Sequence, residues 1–205
     1  MVGPVPCAAS VVQAARDFTA ALVAVDGGAD ACLRMGLTPD AVVGDLDSLS
    51  DNAAARFTGR LHRIEEQITT DFEKALRWTE APLRLAVGFW GGRADHTLAV
   101  LGALGGNPAQ RCIVLTDESI IFHCPPTLDF DLPAGTPVSL FPLAVMGCDS
   151  TGLVWPTAGL VFDSLGRTGV SNSAAGGRIT LRPARAGMLV ILPLSCLPAA
   201  VRALR

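Results

Sequence analysis

Three aspartates near the start of the chain have the residue type and placement of metal ligands. Asp26 follows an apolar run that ends at Val25, and Asp45 and Asp47 follow the apolar run 41–43. Because the carboxyl ends of parallel strands share one edge of a sheet, we expect the three carboxylates to lie close together. Such oxygen ligands suit Mg²⁺, which proteins usually hold through one or two carboxylates plus substrate phosphates. Alternatively, Asp-Gly-Gly and Asp-Ser are only turn sequences.

The segment TTDFEKAL adds a fourth acid and a lysine. Its apolar spacing predicts a helix over residues 71–79 that begins at Asp71, with Lys74 on the same face. Next to a bound triphosphate, Lys74 would supply positive charge. Alternatively, Asp71 is an N-cap or first-turn acid that offsets the helix dipole, and Lys74 is a solvated surface charge.

The segment GGRADH has the composition of an anion-binding turn. Gly91 and Gly92 allow a close backbone approach, and Arg93 and Asp95 open a predicted helix whose N-terminus favours anions. On its own the segment is equally a glycine turn with a capping aspartate, and His96 is more typical of a core or capping histidine than of a base.

The elements that must position these residues change in character near Pro125. Before it, apolar runs of strand length alternate with helical spacing, which predicts an α/β domain over residues 1–125, a parallel sheet with helices on both faces. After it, short apolar or alternating runs separated by Gly, Pro and Asp predict an all-β sandwich over residues 126–205. The runs assigned to that sandwich are LDFDL, VSLFPL, GLVW, GRITLRP and GMLVIL.

Composition excludes several classes of partner. Sixteen basic and nineteen acidic residues give a net charge of −3 and form no run suited to nucleic acid or an anionic membrane. No apolar stretch approaches the roughly 18 to 20 residues that span a bilayer, and the start lacks the features of a secretory signal, so we expect a cytoplasmic protein. The six scattered cysteines have no zinc-ligand spacing.

The ordered motifs resemble those of the thiamine pyrophosphokinases, also called thiamine diphosphokinases. The resemblance rests on DGGAD, G-x-x-PD-x-x-x-GDLDS over residues 36–48, TDFEKAL, GGRADHTL, VSLFPL, TGLVW and VSN. It implies an N-terminal domain that binds Mg-ATP, a C-terminal β-sandwich, and a homodimer with thiamine sites between subunits. It also implies that the thiamine hydroxyl attacks the β-phosphorus of ATP and that AMP leaves.

The resemblance implies a role for each matching position. It assigns magnesium to Asp45, Asp47 and Asp71, and it places Asp26 in the same pocket. It assigns phosphate contacts, or ordering of the phosphate loop, to Thr70, Asp71, Lys74, Arg93 and Asp95, and expects catalytic contributions from Asp45, Asp47, Asp71, Arg93 and Asp95. It assigns the thiamine side of the site to Gln67, Trp155, Ser171 and Asn172.

The residues expected to bind thiamine also have ordinary interpretations. A tryptophan in a β-sandwich usually belongs to the core, so Trp155 alone would be predicted as buried. Ser171 and Asn172 are also typical of a polar turn that enters a strand.

The chain departs from the family pattern in two places. Ile68 stands where the family commonly has an acid, so a contact to metal or substrate is expected to be missing. The segment MVGPVPC is shorter than the family's first strand and its glycine-rich turn, so this strand is expected to be incomplete.

Other functions stay open at this point. Transfer of pyrophosphate to another hydroxymethyl heterocycle, such as a pterin, would need a similar nucleotide half. A degenerate dimer that binds thiamine or nucleotide without turnover is a second alternative. A haloacid-dehalogenase-type phosphatase would use the D-x-D of GDLDS but leaves TDFEKAL, GGRADH and VSN unexplained.

Overall fold

A computed structural model describes residues 1–205 and divides them into two compact units. The first unit contains residues 1–103 and 114–117, and the second contains residues 104–113 and 118–205. The helices are α1 (Ala9–Arg16), α2 (Gly28–Arg34), α3 (Asp51–Arg56), α4 (Asp71–Trp78), α5 (Ala94–Gly106) and α6 (Leu197–Leu204), with a 3₁₀ turn at Leu194–Cys196.

The strands of the first unit are short and mostly buried. They are β1 (Val23–Val25), β2 (Ala41–Gly44), β3 (Leu61–Arg63) and β4 (Arg84–Ala86), followed by β5 (Cys112–Leu115), whose last two residues belong to this unit. β1, β2 and β3 form a parallel ladder in that order, with Val25 opposite Val43. The expected parallel sheet with helices is confirmed.

The N-terminal residues complete this sheet. Val2 forms parallel bridges to Ala24 on one side and to Val87 on the other. Its N–H donates to Val23 and its carbonyl accepts from Val25, both at 2.8 Å. The first strand was expected to be incomplete. Residues 1–3 occupy its place, between β1 and β4.

The helices of the first unit pack through apolar faces. α2 contacts β1, while α4 contacts both β1 and β2. α4 buries Phe72, Ala75 and Leu76 at the spacing expected of an amphipathic helix, and Phe72 meets Phe89 edge to face. This packing fixes the start of α4 against the ends of β1 and β2.

The second unit consists mainly of antiparallel sheets, as expected. Its strands are β6 (Ser119–His123), β7 (Leu128–Leu132), β8 (Pro137–Pro142), β9 (Met146–Thr151), β10 (Val161–Phe162), β11 (Gly169–Ser173), β12 (Gly177–Pro183) and β13 (Met188–Pro193). One set runs in the order β10-β9-β12-β7, and another in the order β11-β8-β13-β6. The inward side chains, such as Leu140, Ile179 and Val190, are buried.

Two details of the second unit differ from the sequence prediction. The run GLVW is not a strand, because only Leu153 forms an isolated bridge, to Ala174. α6 packs against β7 and was not predicted, because its eight residues LPAAVRAL are separated from an apolar strand by only a three-residue 3₁₀ turn. No helix of the structure combines the length and apolar character needed to cross a bilayer.

Candidate active site

Three carboxylates meet beyond the ends of β1 and β2. One oxygen each from Asp26, Asp45 and Asp47 lies within 4.8 Å of the other two. The parallel register causes this convergence, because Val25 pairs with Val43 and both chains leave the sheet at the same edge. Hard oxygen donors in this arrangement suit a divalent cation such as Mg²⁺.

Asp26 is the most constrained member of the cluster. Its backbone has φ of +44°, and only 7% of the residue is exposed. Its Oδ1 atom is buried without a hydrogen-bond partner. Burial raises the pKa of Asp26, and the nearby charges of Asp71 and Asp45 act in the same direction. A buried, unpartnered oxygen between other carboxylates fits a site built for a cation.

Gly44 brings the start of α4 close to this cluster. A Cβ atom at Gly44 would lie 3.0 Å from the Cβ of Asp26 and 3.2 Å from Oδ1 of Asp71. Because glycine has no Cβ, the two aspartates can approach the same stretch of backbone.

Lys74 joins two of the aspartates. Its Nζ lies 3.0 Å from Asp71 Oδ1 and 3.1 Å from Asp45 Oδ2, and the side chain is almost fully buried. Burial acts to lower the pKa of Lys74, but its hydrogen bonds to both carboxylates outweigh that effect and raise it. Burial also acts to raise the pKa of Asp45, but the hydrogen bonds from Lys74, the Asp47 N–H and Gln67 outweigh that effect and lower it. The interpretation of Lys74 as a solvated surface charge is therefore wrong.

The residues before α4 are also ordered by hydrogen bonds. Gln67 Nε2 donates to Asp45 Oδ2 at 3.2 Å. Thr70, not Asp71, is the N-cap of α4, and it forms a reciprocal capping box with Glu73. Asp71 is the first helical residue, and its Oδ1 accepts from the backbone N–H of Asp45 at 3.1 Å.

Arg93 and Asp95 form an exposed pair at the start of α5. Nε and Nη2 of Arg93 lie 3.1 Å and 2.6 Å from the two carboxylate oxygens of Asp95. The hydrogen bond from Arg93 lowers the pKa of Asp95 to about 2. Gly91 and Gly92 precede them with positive φ, as expected for a glycine turn.

The residues expected to face thiamine lie in the second unit. The backbone N–H of Trp155 donates to Asn172 Oδ1 at 3.2 Å, and Asn172 Nδ2 donates to the Trp155 carbonyl at 2.7 Å. Trp155 is 60% exposed, so its interpretation as a core residue is wrong. Ser171 has φ of +62° at an irregularity of β11, where its N–H donates to Ser139.

A shallow cleft of about 270 Å³ adjoins these side chains. Trp155 and Pro156 line it together with Phe162 and the β11 residues Ser171 and Asn172. The exposed indole supplies an aromatic face to this cleft, which is a favourable surface for a cationic ring.

Sequence reasoning missed Gly44 and Glu66. Glu66 accepts hydrogen bonds from the backbone N–H groups of Ile68 and Thr69 and from the Thr69 hydroxyl, and the bond from this hydroxyl is the main cause of a lowered pKa for the Glu66 carboxyl. An acid four residues before the N-cap Thr70 was the available signal for Glu66, and a glycine directly before Asp45 was the signal for Gly44.

The first half of the chain is similar to a known protein family. A family model described as thiamin pyrophosphokinase, catalytic domain, matches residues 13–114. The chain is 25% identical over 169 residues to thiamine pyrophosphokinase 1 of Arabidopsis thaliana, covering 73% of this chain. That match covers 63% of the plant protein, so the chain spans less than two thirds of its length.

Solved structures share the fold of most of the chain. Thiamin pyrophosphokinase from Candida albicans matches with a TM-score of 0.78 at 16% identity, over 94% of this chain and 88% of that one. Thiamin pyrophosphokinase from Geobacillus thermodenitrificans matches with a TM-score of 0.75 at 22% identity, over 94% of each chain. The expected order of an α/β part followed by antiparallel sheets is therefore confirmed.

Proposed function

Because the chain belongs to the thiamin pyrophosphokinase family, we propose that it transfers the terminal pyrophosphate of ATP to the hydroxyl of thiamine, giving thiamine diphosphate and AMP. The observation that carries this proposal is the meeting of Asp26, Asp45 and Asp47 at the sheet edge, within the matched segment. A triphosphate binds together with Mg²⁺, and a cluster of carboxylates can hold that ion. The buried ammonium of Lys74 adds a positive charge beside the cluster, 3.1 Å from Asp45.

Magnesium is part of the proposal. Asp45 and Asp47 belong both to the observed cluster and to the ligand set implied by the family resemblance. Asp26 completes the observed cluster, and Asp71 stays in the proposed set because it adjoins Asp26 across Gly44. When bound, the ion would neutralise phosphate charge and help to orient the reacting groups.

The chain's own cations have a secondary role in this proposal. Phosphoryl-type transfers depend mainly on alignment and on stabilising spread negative charge. Lys74 supplies a buried positive charge at the aspartates, and Arg93 presents an exposed guanidinium at the start of α5. Thr70 holds the start of α4 in place through its capping box, and Asp95 orients Arg93 at the start of α5.

Thiamine recognition, dimerisation and location complete the proposal. Trp155, Ser171 and Asn172 line the cleft of the second unit, and Gln67 reaches the acidic cluster of the first. Exposed apolar side chains suit an interface between two copies in a homodimer. Those side chains are Val154, Val161, Leu165 and Val170. A reducing, cytoplasmic location agrees with six free cysteines, five of them buried.

The test is AMP formation from Mg-ATP with and without thiamine, with thiamine diphosphate detected in the same mixture. Thiamine-dependent AMP that matches thiamine diphosphate supports the proposal, and Asp71→Asn should abolish both products. Asp51→Asn makes the same charge change on the exposed start of α3 and should leave turnover intact. Absence of AMP would contradict the proposal, while AMP formed only with a hydroxymethylpterin would favour that acceptor.

A further inference from the structure

One carboxylate fixes the loop that leads into α4. Glu66 Oε2 accepts hydrogen bonds from the backbone N–H groups of Ile68 and Thr69, at 2.8 Å and 3.1 Å. Its Oε1 accepts from the Thr69 hydroxyl and, at 3.1 Å, from Nη2 of Arg77 on α4. Arg77 also donates to the Thr69 hydroxyl. Both oxygens of Glu66 therefore hold loop 66–69 in one conformation and tie it to α4.

The loop carries a side chain of the acidic cluster. Gln67 lies between Glu66 and the two residues that Glu66 holds, and its amide donates to Asp45 Oδ2, the oxygen that Lys74 also contacts. Gln67 is exposed, so packing around its side chain does little to set its direction. The conformation of the loop must therefore do so.

We infer that Glu66 is a positioning residue that acts through Gln67. By holding the backbone of loop 66–69, it aims the Gln67 amide at Asp45, in the proposed magnesium site, where the family resemblance assigns to Gln67 a contact with thiamine. The catalytic part of this inference rests on the proposed function. The part that concerns loop geometry does not, because it follows from the hydrogen bonds of Glu66 alone.

The neighbouring sequence provides matched variants. Glu66→Ala removes the acceptor from loop 66–69, whereas the Thr70–Glu73 capping box still starts α4. Glu66→Asp keeps a carboxylate at a position where aspartate readily accepts from backbone N–H groups two and three residues on. Glu65→Ala is the control, because Glu65 is exposed and pairs only loosely with Arg63, at 3.7 Å.

The first experiment measures amide hydrogen exchange and side-chain amide signals by NMR on the intact protein. Glu66→Ala should speed exchange of the Ile68 and Thr69 amides at least tenfold and shift the Gln67 side-chain amide resonances. Glu66→Asp should restore most of the protection, and Glu65→Ala should match the original chain. Unchanged exchange in Glu66→Ala would overturn the inference, whether or not the protein makes thiamine diphosphate.

The second experiment separates positioning from general stability through steady-state kinetics. In Glu66→Ala the KM for thiamine should rise about tenfold, the change expected when one charge-assisted hydrogen-bonding arrangement is lost. kcat and the KM for Mg-ATP should stay within about twofold, and Gln67→Ala combined with Glu66→Ala should add little further. Equal loss in all parameters, or additive loss in the double variant, would overturn the role through Gln67.

Discussion

Asn172 and Trp155 exchange two hydrogen bonds through the side chain of one and the backbone of the other. Asn172 Oδ1 accepts from the Trp155 N–H, and Asn172 Nδ2 donates to the Trp155 carbonyl at 2.7 Å. Because GLVW is not a strand, this pair replaces the ladder bonds that a strand would have given to Trp155. A nearly buried asparagine thus holds an exposed indole beside the cleft of the second unit.

Asn172→Ala should disturb this cleft. It leaves both backbone groups of Trp155 without their partner, which costs about 1 to 3 kcal/mol of unfolding free energy. We also expect the KM for thiamine to rise several-fold while the KM for Mg-ATP stays constant, as in Trp155→Ala. Urea unfolding and steady-state kinetics measure both effects. Equal changes in the two KM values would place Asn172 and Trp155 outside the thiamine site.

Asp26→Asn should separate stability from metal binding. Burial raises the pKa of Asp26, so the charged form is disfavoured in the folded state, and an amide of the same shape removes that cost. In EDTA the Tm should therefore be unchanged or higher than that of the original chain. The increase in Tm caused by Mg²⁺ should shrink, because a proposed ligand is lost.

Thermal unfolding at several Mg²⁺ concentrations tests Asp26→Asn. Asp51→Asn is the control, since Asp51 is exposed in the first turn of α3 and its loss should cost only a few tenths of a kcal/mol. A Mg²⁺ response of full size in Asp26→Asn would remove Asp26 from the cation site.

Gly44→Ala should reduce turnover more than it reduces stability. Its Cβ would press on Asp26 and Asp71 at 3.0 Å and 3.2 Å, and displacing reacting groups by a fraction of an ångström costs large factors in rate. We expect kcat to fall at least tenfold. Gly59→Ala is the control, because Gly59 also has positive φ but nothing lies within 4 Å of its Cβ position.

Gly59→Ala should lose about 1 kcal/mol of unfolding free energy and keep its kcat. Urea unfolding and kinetics on both glycine variants make the comparison. If Gly44→Ala retained normal kcat, crowding between Asp26 and Asp71 would not matter to the reaction.

The sequence predicts the acidic cluster because each of these aspartates stands just after an apolar run of strand length. Aspartates that follow apolar strands must lie at one sheet edge once the strands pair in parallel, and Asp26 and Asp45 do so. Helix α4 follows similarly from apolar spacing. The burial of Lys74 was not predictable from that spacing, because it depends on two carboxylates from separate segments meeting one ammonium.

Other features could not be predicted in full because they depend on contacts between residues that are distant in sequence. Val2 alone bridges two strands, and a segment this short has no periodicity, so the sequence indicated only that the first strand is incomplete. The run at Leu153 and Trp155 looks like a strand, but only Leu153 forms a bridge, and both backbone groups of Trp155 bond to the Asn172 side chain. Such positions are fixed by partners that are distant in sequence.

His123 should make stability depend on pH below about 6.5. Its Nε2 accepts a hydrogen bond from the Gly187 N–H at 2.9 Å, and burial lowers the pKa of His123 below its usual value of about 6.5. The unfolded chain therefore takes up a proton before the folded one does as pH falls. The stability contributed by neutral His123 is complete above about pH 6.5 and declines below it until the folded pKa is passed.

Urea unfolding at pH 7.5, 6.5 and 5.5 measures this contribution, whose slope is at most about 1.4 kcal/mol per pH unit. His123→Gln keeps an oxygen that can accept from Gly187 but does not titrate, so its loss of stability toward pH 5.5 should be smaller. His62→Gln is the control, because His62 is exposed beside Trp78. Identical pH profiles for the original chain and His123→Gln would show that His123 titrates alike in the folded and unfolded states.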